Sequence, residues 1–148
     1  MDTIDRQIIA ALNEDGRAAN AKIAKRVKVS EGTVRRRLKK LTGDKTINIV
    51  TVQDPQKMGY QSEVLIGMQV EPDMLEEVAS RMAEFKYTTL VSITTGTYDV
   101  FAWATLPNAE KLGEFIRDHV GKTPGVQRTE TFVSLGVRKR TYSLPVDG

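Results

Sequence analysis

Val29-Ser30-Glu31-Gly32-Thr33-Val34-Arg35-Arg36-Arg37-Leu38-Lys39-Lys40-Leu41 joins a helix start, an apolar stripe and a dense run of positive charge. Ser30 is suited to cap the free N–H groups of a first turn, and Val29 before it can pack on Val34 as a hydrophobic staple. Val34, Leu38 and Leu41 recur at the spacing of one helical face. Gly32, Arg36 and Lys39 then fall roughly opposite, flanked by Thr33, Arg35 and Lys40. One face packs and the other is basic. A charge run alone is ordinarily a solvated surface, so the segments around it carry the decision.

Upstream, Asp2 and Asp5 stand three apart ahead of Ile4, Ile8, Ala11 and Leu12, the pattern of a capped amphipathic helix that Gly16 ends. Asn20 is the expected cap of a second, short helix with Ile23, Ala24 and Val27 facing inward. Three short helices, the last two separated by a tight turn, form a helix-turn-helix, whose last helix enters the major groove of double-stranded DNA. In that context Ser30, Gly32, Thr33, Arg35, Arg36, Lys39 and Lys40 become candidate DNA contacts. Thr42-Gly43-Asp44-Lys45 breaks the basic helix, and the β-branched alternation of Ile47 to Val52 predicts a strand, a winged-helix-like ending to the unit. Asp54-Pro55 and Gly59 interrupt both periodicities. The expected division is a DNA-binding domain over 1–53, a linker over 54–61 and a second domain over 62–148.

The second part reads strand, helix, strand, strand, helix, strand. Val64, Ile66, Met68 and Val70 alternate. Pro72-Asp73 opens a helix carrying Leu75, Val78, Ala79, Met82 and Phe85. Thr89 to Thr95 and Tyr98 to Thr105 predict a hairpin turning at Gly96-Thr97. Asn108 caps a helix with Leu112, Phe115, Ile116, His119 and Val120 on one face, and Pro124-Gly125 turns into a last strand, Val126 to Leu135. This βαββαβ order predicts a ferredoxin-like fold, a four-stranded antiparallel sheet with both helices on one face, so the whole chain is α+β. Leu65, Phe101 and Trp103 lie off the core register, which implies a second apolar sheet face covered by dimerisation. The tail Arg138-Lys139-Arg140-Thr141-Tyr142 is basic, but three charges name no partner.

Charge supports two domains with different tasks. Residues 1–60 hold 13 Lys and Arg against 7 Asp and Glu, whereas residues 61–148 hold 9 against 12. A basic first part suits a polyanion and a mildly acidic second part something else. With no cysteine and one histidine, thiolate zinc sites, iron-sulfur clusters and histidine metal clusters are excluded, and no cofactor is expected. The absence of a long apolar run and of a signal-peptide core predicts a cytoplasmic protein without a membrane partner.

No nucleophile elbow, phosphate loop or metal-ligand spacing is present, so an enzyme is not expected. His119 shares an apolar face with Phe115 and Ile116, which favours a packed or interface histidine over a catalytic one. Gly96-Thr97-Tyr98-Asp99 by spacing alone is a hairpin turn. RNA-recognition modules share the second domain's element order, but their third strand is glycine-rich and basic. Here it is Tyr98-Asp99-Val100-Phe101-Ala102-Trp103-Ala104, without a basic residue, which disfavours RNA.

Taken together, several pieces resemble the leucine-responsive regulator and AsnC (Lrp/AsnC) family of bacterial and archaeal transcription factors, over essentially the whole chain. They are Asp2 and Asp5, Asp15-Gly16-Arg17, Ala24, Ser30 with Thr33-Val34, Arg37-Leu38-Lys39-Lys40-Leu41, Ile47, Asp54-Pro55, Gly59, Gly96-Thr97-Tyr98-Asp99 and Pro124-Gly125-Val126. Two departures stand out: Lys28 and Lys45 occupy positions where the family usually has glycine. If those backbones need a positive φ, each lysine costs on the order of 1 kcal/mol. Arg37 lies near the apolar stripe, so its stem is expected to pack and its head to pair with an acid of the first helices or with phosphate.

The resemblance implies a sequence-specific transcriptional regulator with a carboxy-terminal domain that assembles dimers into larger rings, up to an octamer, and senses an amino acid. It locates the effector site at Gly96, Thr97, Tyr98 and Asp99, with Thr129 and Thr131 of the last strand as further members. Two other classes stay open at this point: an architectural DNA-binding protein without an effector, and a metabolic small-molecule-binding module.

Overall fold

A computed structural model describes residues 1–146. The described residues divide into two compact units, 1–52 together with the tail 139–146, and 53–138. The tail therefore clusters with the first unit and not with the second, where its place in the sequence would put it.

The first unit is built on three helices: α1 (Thr3–Glu14), α2 (Asn20–Val27) and α3 (Glu31–Gly43). Asp2 and Asp5 form a reciprocal capping box at the start of α1, each carboxylate accepting the other's backbone N–H at about 3 Å. The expected cap at Asn20 is not formed. Ala19 holds the N-cap position, with the Lys22 and Ile23 N–H groups on its carbonyl, and Asn20 is already helical. Ile8, Ala11, Ile23, Ala24, Val27 and Val34 make the core, with Ile4, Leu12, Val29 and Leu38 packed against it. A salt bridge with two 2.6 Å bonds from Arg26 to Glu14 adds a link between α2 and α1.

The turn between α2 and α3 passes through Lys28 at φ +60°, with the Val29 N–H reaching back to the Ala24 carbonyl at 3.1 Å. This is the helix-ending pattern that ordinarily takes glycine. Lys45, beyond α3, has φ +59°. Both departures noted in the sequence thus sit in the left-handed region. The strand expected at Ile47 to Val52 is a correction: the segment is irregular, and Ile49, Val50 and Val52 are exposed. Among the described residues its alternation has no neighbouring strand to pair with; the Ile47 N–H bonds the Leu41 carbonyl at 3.1 Å, and a strand without a ladder leaves its other N–H and C=O groups to water. No wing is formed. Residues 54–60 then wind into tight turns, with the Tyr60 N–H on the Pro55 carbonyl.

The second unit is a four-stranded antiparallel sheet in the order β2-β3-β1-β4, from β1 (Ser62–Val70), β2 (Thr88–Ile93), β3 (Val100–Leu106) and β4 (Val126–Val133). Two helices accompany it. One is α4 (Leu75–Glu84), entered through a 3-10 turn at Pro72–Met74. The other is α5 (Ala109–Glu114), capped by Asn108 and continued by a π-helical stretch, Phe115–Val120. Val64, Ile66, Met68 and Val70 of β1 meet Val100, Ala102, Ala104 and Leu106 of β3 in a core closed by Val78, Met82, Leu112, Phe115 and Val120. Gly125, at φ +90°, makes the last turn possible: a Cβ there would lie 2.6 Å from the Cβ of Met74.

The hairpin is looser than expected. Residues 94–99 form a loop, because the Thr94 N–H and hydroxyl bond the carbonyls of Asp99 and Tyr98 at 2.9 Å, and the Asp99 N–H turns to the Met68 carbonyl. Tyr98 and Asp99 are consequently outside β3. The last strand also stops early, at Val133 instead of Leu135.

Candidate DNA interface and effector loop

Helix α3 separates its two faces as its spacing requires. Val34 and Leu41 are buried and Leu38 half-buried, while Gly32, Arg35, Arg36, Lys39 and Lys40 are exposed. Ser30 accepts the Thr33 N–H at 3.1 Å and lies 2.9 Å from the Thr33 hydroxyl, so both side chains are engaged in starting the helix. Arg35 leans back to Glu31 at 3.0 Å. Among the described residues, Arg36 and Lys39 form no ion pair. Their charges are available to a polyanion.

Arg37 is withdrawn from that face. Its Nη1 bonds Asp2 at 2.6 Å and Asp5 at 2.9 Å, which ties α3 to the start of α1. The Arg37 guanidinium, followed by the Asp2 N–H, holds the Asp5 carboxyl below its usual range. For Asp2 the Asp5 N–H is the larger cause and Arg37 the second. One arginine is spent on rigidity, and its neighbours are left for binding.

In the second unit, the loop candidates occupy distinct surroundings. Gly96, at φ +103°, and Thr97 are exposed, and the Thr97 carbonyl accepts the Gln69 side-chain amide at 3.1 Å. Asp99 is half-buried, with Oδ2 accepting the Val70 N–H at 2.8 Å. The Tyr98 ring lies flat against Gly67, where a Cβ would come within 2.8 Å of it. Its ring meets Phe101 edge-on at 5.6 Å and Phe132 at 6.4 Å. Thr129 and Thr131 pair with Met68 and Ile66, so they share the helix-bearing side of the sheet. Gly67, Phe101 and Phe132 belong to the opposite side. Within one chain the sheet therefore stands between Tyr98 and the two threonines, and the six candidates do not line one chamber.

The second apolar face is larger than Leu65, Phe101 and Trp103. Leu65 pairs with both Trp103 and Phe132, and Leu90 pairs with Trp103. Leu90, Trp103 and Phe132 are 55%, 37% and 43% exposed. Phe132 and Leu90 were missed in the sequence, although Phe132 is out of step with Thr129 and Thr131 and alternation alone marks it. His119 packs its ring 5.1 Å from Phe85 and 5.8 Å from Phe115. Among the described residues no group of three acidic or histidine side chains is placed to hold a metal, and no helix is long and apolar enough to cross a membrane.

Residues 1–42 match the AsnC-type helix-turn-helix domain, and residues 63–144 match the Lrp/AsnC ligand-binding domain. A helix-turn-helix transcriptional regulator of Pyrococcus furiosus is 35% identical over 144 residues, 97% of each chain. The regulator FL11 of Pyrococcus horikoshii is 35% identical over 147 residues, 99% of this chain and 97% of that one. In fold, the chain is similar to E. coli AsnC, with TM-score 0.88, 24% identity and coverage of 98% of this chain and 99% of that one. It is likewise similar to a Neisseria meningitidis regulator solved as its L-Met complex, with TM-score 0.89, 24% identity and coverage of 98% and 96%. The protein belongs to the Lrp/AsnC family of transcriptional regulators, with a DNA-binding helix-turn-helix domain followed in the sequence by a ligand-binding domain.

Proposed function

We propose that this protein is a sequence-specific regulator whose α3 reads an operator in the major groove. Arg36 and Lys39 meet base edges beside Gly32, where no side chain holds the groove away. Ser30, Thr33, Arg35 and Lys40 hold the phosphate backbone. The observation that supports this reading best is the division of labour on one helix: Arg37 is locked to Asp2 and Asp5, while Arg36 and Lys39 stay exposed without an ion pair among the described residues. Footprinting on the DNA upstream of its own coding sequence tests it. A phased set of protected sites supports a sequence-reading regulator, and uniform coverage would make the protein architectural.

The carboxy-terminal domain is proposed to dimerise through the sheet face of Leu65, Leu90, Phe101, Trp103 and Phe132, and dimers to assemble further, up to an octamer. A face this apolar is costly to leave in water. An amino-acid effector is proposed at residues 96–99, between carboxy-terminal domains, and the Neisseria meningitidis complex with L-Met supports an amino acid as the ligand class. Thr129 and Thr131 lie across the sheet from the Tyr98 ring in the same chain, so they would join a site walled by that ring only from a neighbouring subunit.

A further inference from the structure

We propose that Lys28 and Lys45 are phosphate clamps flanking α3, retained for DNA at the expense of backbone comfort. The proposal rests on the DNA-reading role of α3.

Lys28 and Lys45 are the two residues other than glycine with positive φ among the described residues. One stands just before α3 and the other just after it. In both places the Cβ of an L residue crowds the following carbonyl, so glycine, or the asparagine that tolerates this region, is the more comfortable occupant. A residue that breaks a local rule at both ends of a binding element is the kind expected where function outweighs stability.

Neither side chain has a structural occupation that explains its presence. Both are exposed, and among the described residues neither ammonium forms an ion pair or hydrogen bond. The backbone of each turn is already held without the side chain. The Val29 N–H bonds the Ala24 carbonyl, while the Lys45 N–H bonds the Thr42 carbonyl at 3.3 Å and Asp44 accepts from Thr46. What lysine adds at these two places is a flexible positive charge on either side of a helix proposed to lie in the groove. A duplex offers a row of phosphates along both groove edges, and an ammonium on a long stem meets them without sequence preference.

The test combines stability with the salt dependence of binding, in the full chain. Lys28→Gly and Lys45→Gly remove charge and strain together, whereas Lys28→Gln and Lys45→Gln remove charge alone. All four are expected to weaken cognate and scrambled duplexes alike and to flatten the slope of log affinity against log salt by about 0.9 for each phosphate that is no longer neutralised. The glycine variants alone are expected to melt higher than the parent. An unchanged salt slope in the glycine variants, whether affinity holds or falls, would overturn the proposal and leave the lysines as tolerated occupants of two turns. Failure of the parent itself to bind any duplex would instead overturn the DNA reading on which this rests.

Discussion

Arg37 Nη1 lies 2.9 Å from Asp5 Oδ1, and with 24% and 14% of their side chains exposed the two are the most sheltered ion pair between helices of the first unit. Asp2 shares the same guanidinium at 2.6 Å. Both carboxyls are held below their usual value of 3.8. A carboxylate whose folded pKa is depressed lends stability that is complete above its unfolded value and is lost as pH falls through the folded one. The contribution is therefore expected whole above about pH 5 and to drain away below about pH 4. Urea unfolding of the parent should show this acid-side decline, and Arg37→Gln should be less stable at pH 7 with a shallower decline. Parallel curves for the two proteins would mean that the pair adds nothing.

Arg36 and Lys40 are expected to fail in different ways. Replacing Arg36 by Ala should cost about 1–3 kcal/mol on the cognate duplex and relax preference at one base position, since arginine is the commonest reader of guanine. Lys40→Ala should weaken every duplex by a similar factor. Paired measurements on cognate and scrambled DNA decide it, and equal losses on both for Arg36→Ala would reduce the exposed face of α3 to an electrostatic surface.

The close seat of Tyr98 on Gly67 gives a third prediction. A methyl at residue 67 would come within 2.8 Å of the ring, so Gly67→Ala should cost about 1–3 kcal/mol of stability by overpacking. The cost belongs to the pair. In Gly67→Ala with Tyr98→Ala the clash has no partner, and the double variant should be more stable than the sum of the single losses. Additive losses would show that the ring is free to move aside.

Legibility from sequence followed the range of the forces involved. The cap at Ser30, the burial of Val34 and Leu41 and the capping box of Asp2 and Asp5 depend on residues a turn away, and all were readable. Arg37 was readable in part: its place beside the apolar stripe pointed to an acid of the first helices or to phosphate, and the packing of α3 on α1 selects Asp2 and Asp5. Lys28 and Lys45 could be flagged, but only the turn geometry reveals that both backbones are left-handed. Ile47 to Val52 has the alternation of a strand, yet a strand requires a second backbone, and alternation says nothing of whether one is present. Thr129 and Thr131 do share a side, as their spacing demands. Which side follows from the pairing of β4 with β1, a register set by residues far back along the chain. Gly67 escaped notice for the same reason: its importance comes from Tyr98, brought over it by the β1 to β3 pairing.

Dimerisation through the outer sheet face can be tested at its centre. Trp103 lies between Leu65 and Leu90 on the two neighbouring strands and contacts Phe101, with ring centroids 6.1 Å apart. Trp103→Arg places a charge in the middle of the proposed interface, while the core side of β3, Ala102 and Ala104, is untouched. Sedimentation should show the parent as a dimer or larger and the variant shifted toward monomer at micromolar concentration, with circular dichroism unchanged. A parent that is monomeric, or a variant of undiminished mass, would send the interface elsewhere.

The last prediction concerns the effector. Titration of the parent with the twenty amino acids by calorimetry should give heat with at least one of them. The informative variant is set by the role Asp99 already has. Its Oδ2 accepts the Val70 N–H at 2.8 Å, so removing the side chain would loosen the loop along with any ligand interaction. Asp99→Asn keeps an oxygen for Val70 and takes away only the charge that would face an ammonium group. If the loop binds an amino acid through Asp99, this variant should melt near the parent and lose about 1.5–3 kcal/mol of binding, the range for a hydrogen bond to a charged partner. Because the site would lie between subunits, an effector alters DNA binding only through unequal affinity for two assemblies. Sedimentation with and without the ligand should then shift in parallel with the footprint. Heat from none of the twenty, or undiminished binding in Asp99→Asn, would leave residues 94–99 as a loop that closes a hairpin and seats Tyr98 on the sheet.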